Sequence, residues 1–178
     1  MSAIELLDSS ADPHLQALVQ RLSQPRVAIA GLALDRPRLM GVINVTPDSF
    51  SDGGRYGTTD AAIEHAQRLE AEGADILDIG GESTRPGSDP VHLEGECRRV
   101  LPVIAALAKR SRARLSVDTR KAEVMRRAVG EGAHIINDVS ALTHDPRSLS
   151  TAAELGLPVI LMHALGDPRT MQDKPAYD

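Results

Sequence analysis

Tryptophan is absent from this 178-residue sequence, and besides histidine its only aromatic side chains are Phe50, Tyr56 and Tyr177. Any core must therefore be aliphatic. Cys97 is the single cysteine, which excludes an internal disulfide and a cysteine-built zinc cluster. No apolar stretch reaches membrane-spanning length, and the opening M-S-A-I-E-L-L-D lacks the basic and apolar regions of a signal peptide. Long basic runs are also missing, and a formal net charge of −5 makes nucleic acid and anionic membranes poor partners. The expectation left by these absences is a cytoplasmic protein. Its 42% hydrophobic content suffices for one substantial core.

What is present begins with Leu39 to Gly54, L-M-G-V-I-N-V-T-P-D-S-F-S-D-G-G. Its first half has the length and composition of a buried strand, and Pro47 stops the ladder. A buried strand thus delivers Asn44, Thr46, Asp48 and Ser49 to its C-terminal end, ahead of a polar loop. Upstream, 12–23 reads as a short helix entered through Asp12-Pro13, and 27–35 as a small hairpin around Gly31. Downstream the plan repeats. Helices are expected over 60–72, 93–110, 121–131 and 147–155, with Pro102 kinking the second. Gly73, Gly132 and Gly156 suit helix ends. Strands are expected over 75–80, 114–118, 133–137 and 157–162, and a polar loop from there to Asp178.

Five buried strands separated by amphipathic helices predict parallel βαβ units, either an open doubly wound sheet or a (β/α)8 barrel. No G-x-G-x-x-G follows the first strand. Asn44, Asp78, Asp118, Asn137 with Asp138, and His163 all fall at or just past strand C-termini, where barrel enzymes assemble their sites. The barrel is the better reading. A complete one takes about 250 residues, so an incomplete barrel of about five βα units is expected. Two open strand edges and an uncovered apolar face would then favour aggregation or pairing with a complementary polypeptide.

Each candidate has a plainer alternative. Asp78 and Asp118 suit helix or turn caps, Asn44 an Asx-turn before Pro47, and Asn137 a bond to neighbouring backbone. His134 reads as a satisfied core histidine, and His92, Glu94 and Glu96 as a solvated helix start. The functional reading rests on the coincidence of strand ends. An Asp and an Asn side by side match a flat heterocycle with adjacent ring N–H, amino and carbonyl groups. Ser49, Ser51, Ser83, Thr84 and Arg85 lie among glycines in loops suited to phosphate or carboxylate oxygens. An Asn carbonyl at a strand end can be the single protein ligand of Mg²⁺. No Ser–His–acid order or metal-binding His pair is found.

The stretch from Leu39 to Gly54 resembles the first signature of the dihydropteroate synthase family. D-I-L-D-I-G-G-E-S-T-R-P-G resembles its second, and S-V-D-T, G-A-H-I-I-N-D and L-P-V-I-L-M-H follow in family order and spacing. The resemblance covers Arg38 to the C-terminus. It implies a (β/α)8 barrel domain over 38–178; residues 1–37, outside the resemblance, are expected to be an N-terminal helix and hairpin capping the barrel. The implied reaction condenses 6-hydroxymethyl-7,8-dihydropterin diphosphate with p-aminobenzoate, giving 7,8-dihydropteroate and pyrophosphate in folate synthesis. By that resemblance Asn44 holds Mg²⁺ on the diphosphate, Asp118 and Asn137 grip the pterin edge, and Thr84 contacts the pterin diphosphate. Loops bearing Phe50, Asp52, Arg85 and Pro86 close over p-aminobenzoate. A homodimer is the family's usual state.

The family's D-P-G-x-G-F-G-K, S-R-K and closing R-x-H segments are not in this sequence, and Arg120-Lys121-Ala122 stands where Ser-Lys-Pro is common. A pterin-dependent methyltransferase and a non-catalytic pterin-binding remnant are the alternative readings. The S-F-S-D-G-G and E-S-T-R-P-G loops argue against the methyltransferase.

Overall fold

In a computed structural model the described residues are 13–46, 54–83 and 90–162. The expectations on Phe50, Asp52, Thr84, Arg85, Pro86, His163 and the C-terminal loop lie outside them. The chain divides into two compact units, Met1–Pro37 and Arg38–Asp178. The first holds helix α1 (Pro13–Leu22) and a two-residue turn closed by Ile29 and Leu32. Ala30 and Gly31 both take positive φ there, 49° and 80°, the backbone that a tight hairpin requires.

Among the described residues of the second unit strands and helices alternate. The order is β1 (Met40–Asn44), α2 (Gly54–Ala71), β2 (Ile76–Gly80), α3 (Leu93–Ala108), β3 (Arg114–Asp118), α4 (Ala122–Gly130), β4 (Ile135–Asp138), α5 (Ser148–Leu155) and β5 (Val159–Leu161). The strands form one parallel sheet in sequence order, β1-β2-β3-β4-β5, as consecutive units of a (β/α)8 barrel do. β1 and β5 are its edges, and Val42, Leu161 and Met162 are exposed there.

Side chains alternate between the two faces of a strand, and here the faces have different occupants. Ile43, Leu77, Ile79, Leu115 and Val117 pack with Ala62, Ala66, Val100, Ile104, Val124 and Ala128 of the helices. Ile136 joins Met125 and Ala152 in a smaller cluster. The opposite face carries Asn44, Asp78, Ser116, Asp118 and Asn137. Two close approaches fix helices on the sheet. A Cβ on Gly41 would meet Leu69 Cδ1 at 2.9 Å, and one on Gly81 would meet Val100 Cγ1 at 2.8 Å.

α3 runs through Pro102, which lies inside it as expected. Two expectations change. The pattern of 147–155 predicts a face of Leu149, Ala152 and Ala153, but α5 buries Ser148, Thr151 and Ala152, and Leu149 is 67% exposed; Ser148 Oγ donates to the Arg120 carbonyl, which turns that face inward. Glu96 is not solvated. It is fully buried, because it shares a helix face with the buried Val100 four residues on.

Candidate active site

The site is set by strand register. Asn44 pairs with Gly80, Gly80 with Asp118, and Asp118 with Asn137, so these residues form one row across β1 to β4. Partners in a parallel ladder share a face. Asn44, Asp118 and Asn137 therefore project from the side opposite the helices, at the C-terminal rim. Gly80 leaves the gap between Asn44 and Asp118 unfilled; a Cβ there would lie 3.3 Å from Asp118 Oδ2.

Asp78 lies two residues below the rim, inside β2 rather than at its end, and its register partner is Ser116. It is 4% exposed. Asn137 Nδ2 donates to its Oδ2 at 2.9 Å, bridging over β3. Burial raises the Asp78 pKa, and the neighbouring Ser116 hydroxyl and the Asn137 amide offset part of that rise. Among the described residues, neither Asp78 Oδ1 nor Ser116 Oγ has a partner in full hydrogen-bond geometry.

Asp118 is the most perturbed acid described. Burial pushes its pKa up to about 7, and the charges of Asp78, Glu96, Asp138 and Glu82 push the same way. Around it the rim is anionic. A ligand offering N–H donors or positive charge would relieve that repulsion.

Asp138 does not join the rim. It is fully buried on the helix-facing side of β4. Its Oδ1 accepts from Ser140 N and Oγ at 2.7 and 2.6 Å, and its Oδ2 from Leu142 N at 3.2 Å. It thereby organises a turn in which Ala141 and Leu142 take positive φ. One position along a strand reverses the face, so Asn137 and Asp138 serve different ends. His134 is satisfied internally, its Nδ1 accepting from Leu115 N at 3.1 Å. Cys97 is buried, and burial raises its pKa, which makes it a poor nucleophile.

An ion network that sequence reasoning missed lies beside the rim. Lys121 Nζ is 2.6 Å from both Glu82 Oε2 and Glu96 Oε2, and Arg120 reaches Glu82 Oε1 at 3.0 Å. Val91 N also donates to Glu82 Oε1, at 3.1 Å. Burial opposes the charged forms. For Glu82 the Lys121, Val91 and Arg120 contacts outweigh it and lower the pKa; for Lys121 the two carboxylates outweigh it and raise the pKa. The helical phase of Glu96 was the one available signal.

A parallel α/β sheet that gathers acid and amide side chains at the C-terminal ends of successive strands belongs to the barrel class with a strand-end site. Residues 40–178 match the family model described as "Pterin binding enzyme". The chain belongs to the pterin-binding enzyme family. It is 52% identical over 147 residues to the dihydropteroate synthase of Escherichia coli K12, covering 83% of this chain and 52% of that protein. The corresponding protein of Bacillus subtilis is 50% identical over 129 residues, covering 72% and 45%. Among solved structures, Xanthomonas albilineans dihydropteroate synthase with 4-aminobenzoic acid aligns with a TM-score of 0.77 at 56% identity, over 88% of this chain and 55% of that one. The same enzyme in complex with 7,8-dihydropteroate aligns with a TM-score of 0.68 at 55% identity, over 75% and 48%. The chain spans about half the length of the relatives it matches. No helix among the described residues is long and apolar enough to cross a membrane.

Proposed function

We propose that this chain carries the pterin-gripping part of a dihydropteroate synthase. The observation that carries the reading is the row Asn44–Gly80–Asp118–Asn137, which sets a carboxyl group and an amide on one face of adjacent strands. A charged Asp118 accepts two N–H bonds from the pterin edge, each contributing roughly 1.5–3 kcal/mol. The Asn137 amide meets the neighbouring ring atoms. The relatives' names support this substrate class, since their solved structures hold 4-aminobenzoic acid and 7,8-dihydropteroate.

In this reading the C–O bond to the diphosphate breaks, leaving positive charge on the pterin, which the carboxylates of Asp118 and Asp78 stabilise. The aniline nitrogen of p-aminobenzoate then forms the new C–N bond and loses a proton. No protein nucleophile takes part. Thr84 would contact the pterin diphosphate, while Phe50, Arg85 and Pro86 would enclose p-aminobenzoate and exclude water.

The donor set fits Mg²⁺ in one respect. Asn44 is exposed at the end of β1, next to Gly80 in the ladder, and its side chain carries a hard amide oxygen. Among the described residues no group of three His, Cys, Asp or Glu is arranged to hold a metal. Asn44 would then be a single protein ligand, the remainder being phosphate and water oxygens. When bound, the ion neutralises diphosphate charge.

The test measures binding of 6-hydroxymethyl-7,8-dihydropterin diphosphate by calorimetry, with and without Mg²⁺, and condensation with p-aminobenzoate. Binding that Asp118→Ala abolishes supports the reading. Absence of pterin binding by the wild-type chain rejects it. Tight binding of methyltetrahydrofolate in its place favours the methyltransferase. Pterin binding without condensation leaves a non-catalytic pterin-binding protein.

A further inference from the structure

The Asn137–Asp78 hydrogen bond carries information beyond holding two side chains together. A charged carboxylate can only accept, so the 2.9 Å contact assigns the nitrogen end of the Asn137 amide to Asp78 and turns Oδ1 away from it. The bond crosses β3 between the register positions of Ser116 and Asp118, joining residues 59 apart in sequence. Asp78 itself lies below the rim and is 4% exposed. Burial raises its pKa, and the Ser116 hydroxyl and the Asn137 amide beside it work the other way, toward the charged form.

We propose that Asp78 is a positioning residue that sets ligand selectivity by locking the Asn137 amide in one orientation, so that Asn137 Oδ1 stands as an acceptor beside the Asp118 carboxylate. The inference rests on the pterin reading and deepens it. The rim then presents acceptors side by side and selects a ring edge of amino and ring N–H donors over one where carbonyl oxygens replace them. Without the lock, the amide can rotate by half a turn and offer its donors to a carbonyl edge. A neutral amide at position 78 removes the lock at nearly constant shape, because it can face Asn137 with either its nitrogen or its oxygen.

The experiment compares the full 178-residue chain with its Asp78→Asn variant, using pterin and lumazine, in which an oxo group replaces the 2-amino group. Wild type should prefer pterin, and in Asp78→Asn the ratio of the two affinities should fall by about tenfold or more. A purely structural role would weaken both ligands equally and leave the ratio unchanged; that result overturns the proposal. If wild type binds no pterin at all, the functional reading fails instead. NMR on the ligand-free wild type provides a second readout. A through-bond coupling between Asn137 Nδ2 and the Asp78 carboxyl carbon, with a slowly rotating amide, is expected. Its absence, with free amide rotation, overturns the lock whether or not the variant folds.

Discussion

Lys121 Nζ lies 2.6 Å from Glu96 Oε2, a carboxylate with no exposure to solvent, although the two residues are 25 apart in sequence. The pair ties the start of α4 to the first turn of α3. Glu82 completes the network from the end of β2. Buried charges of this kind are costly to separate, since removing one partner strands the other away from water.

Lys121→Met should therefore destabilise the fold by about 3–5 kcal/mol. The double variant Lys121→Met/Glu96→Leu should be less destabilised than the single change, because the stranded carboxylate has gone. Urea unfolding of the two proteins decides this. Equal midpoints for Lys121→Met and wild type would show that the network contributes nothing.

Asp118 gives stability a slope with pH. Its carboxyl ionises near 3.8 when unfolded and near pH 7 when folded. Between these values the folded state binds more protons, so stability should fall as pH rises through that window. Asp118→Asn should remove this component, which the difference between the two melting curves isolates. Pterin affinity should run the opposite way, rising from about pH 6 to about pH 8 as the accepting carboxylate becomes charged. Parallel pH profiles for variant and wild type would count against both statements.

His134 contributes with the other sign. Burial, then the Arg114 charge, holds its pKa below 6.5, and only a neutral imidazole can accept the Leu115 N–H. Here the folded state binds fewer protons than the unfolded one. Stability present above pH 6.5 is lost as pH falls toward the lowered value. His134→Ala should cost about 1–3 kcal/mol at neutral pH by orphaning that N–H, and it should abolish the acid-side loss. Urea titrations at about pH 8 and about pH 5 measure both effects.

Two adjacent glycines should fail differently. On Gly81 a Cβ meets Val100 Cγ1 at 2.8 Å and the Glu96 backbone oxygen at 3.3 Å. Gly81→Ala must push α3 off the sheet, at about 1–3 kcal/mol of stability. On Gly80 the nearest atom is Asp118 Oδ2 at 3.3 Å. Gly80→Ala should leave unfolding nearly unchanged and weaken pterin binding by occupying the gap beside Asp118. Calorimetric titration and thermal melting of each variant separate the two effects.

Much of this was legible along the chain. Hydrophobic periodicity located all five strands and five helices to within a few residues at most ends, except that α2 begins six residues earlier than expected, at Gly54. Its first turns are polar, G-R-Y-G-T-T-D, and carry no apolar phase to reveal them. The rim residues Asn44, Asp118 and Asn137 were recognisable because strand ends can be read from where apolar runs stop.

The sequence by itself determined the alternation of strand and helix, the aliphatic core and the identity of the oxygen-bearing side chains at the strand ends. Those properties are local, fixed by spacing and side-chain chemistry. Only the tertiary structure decided which acids face one another: that Asp78 sits beneath Asn137, that Asp138 turns to the helices, and that Glu96 is buried on Lys121. Register and facing depend on neighbours dozens of residues away, and a shift of a single residue would reverse Asp78 and Asp138 on their strands and turn Glu96 away on its helix.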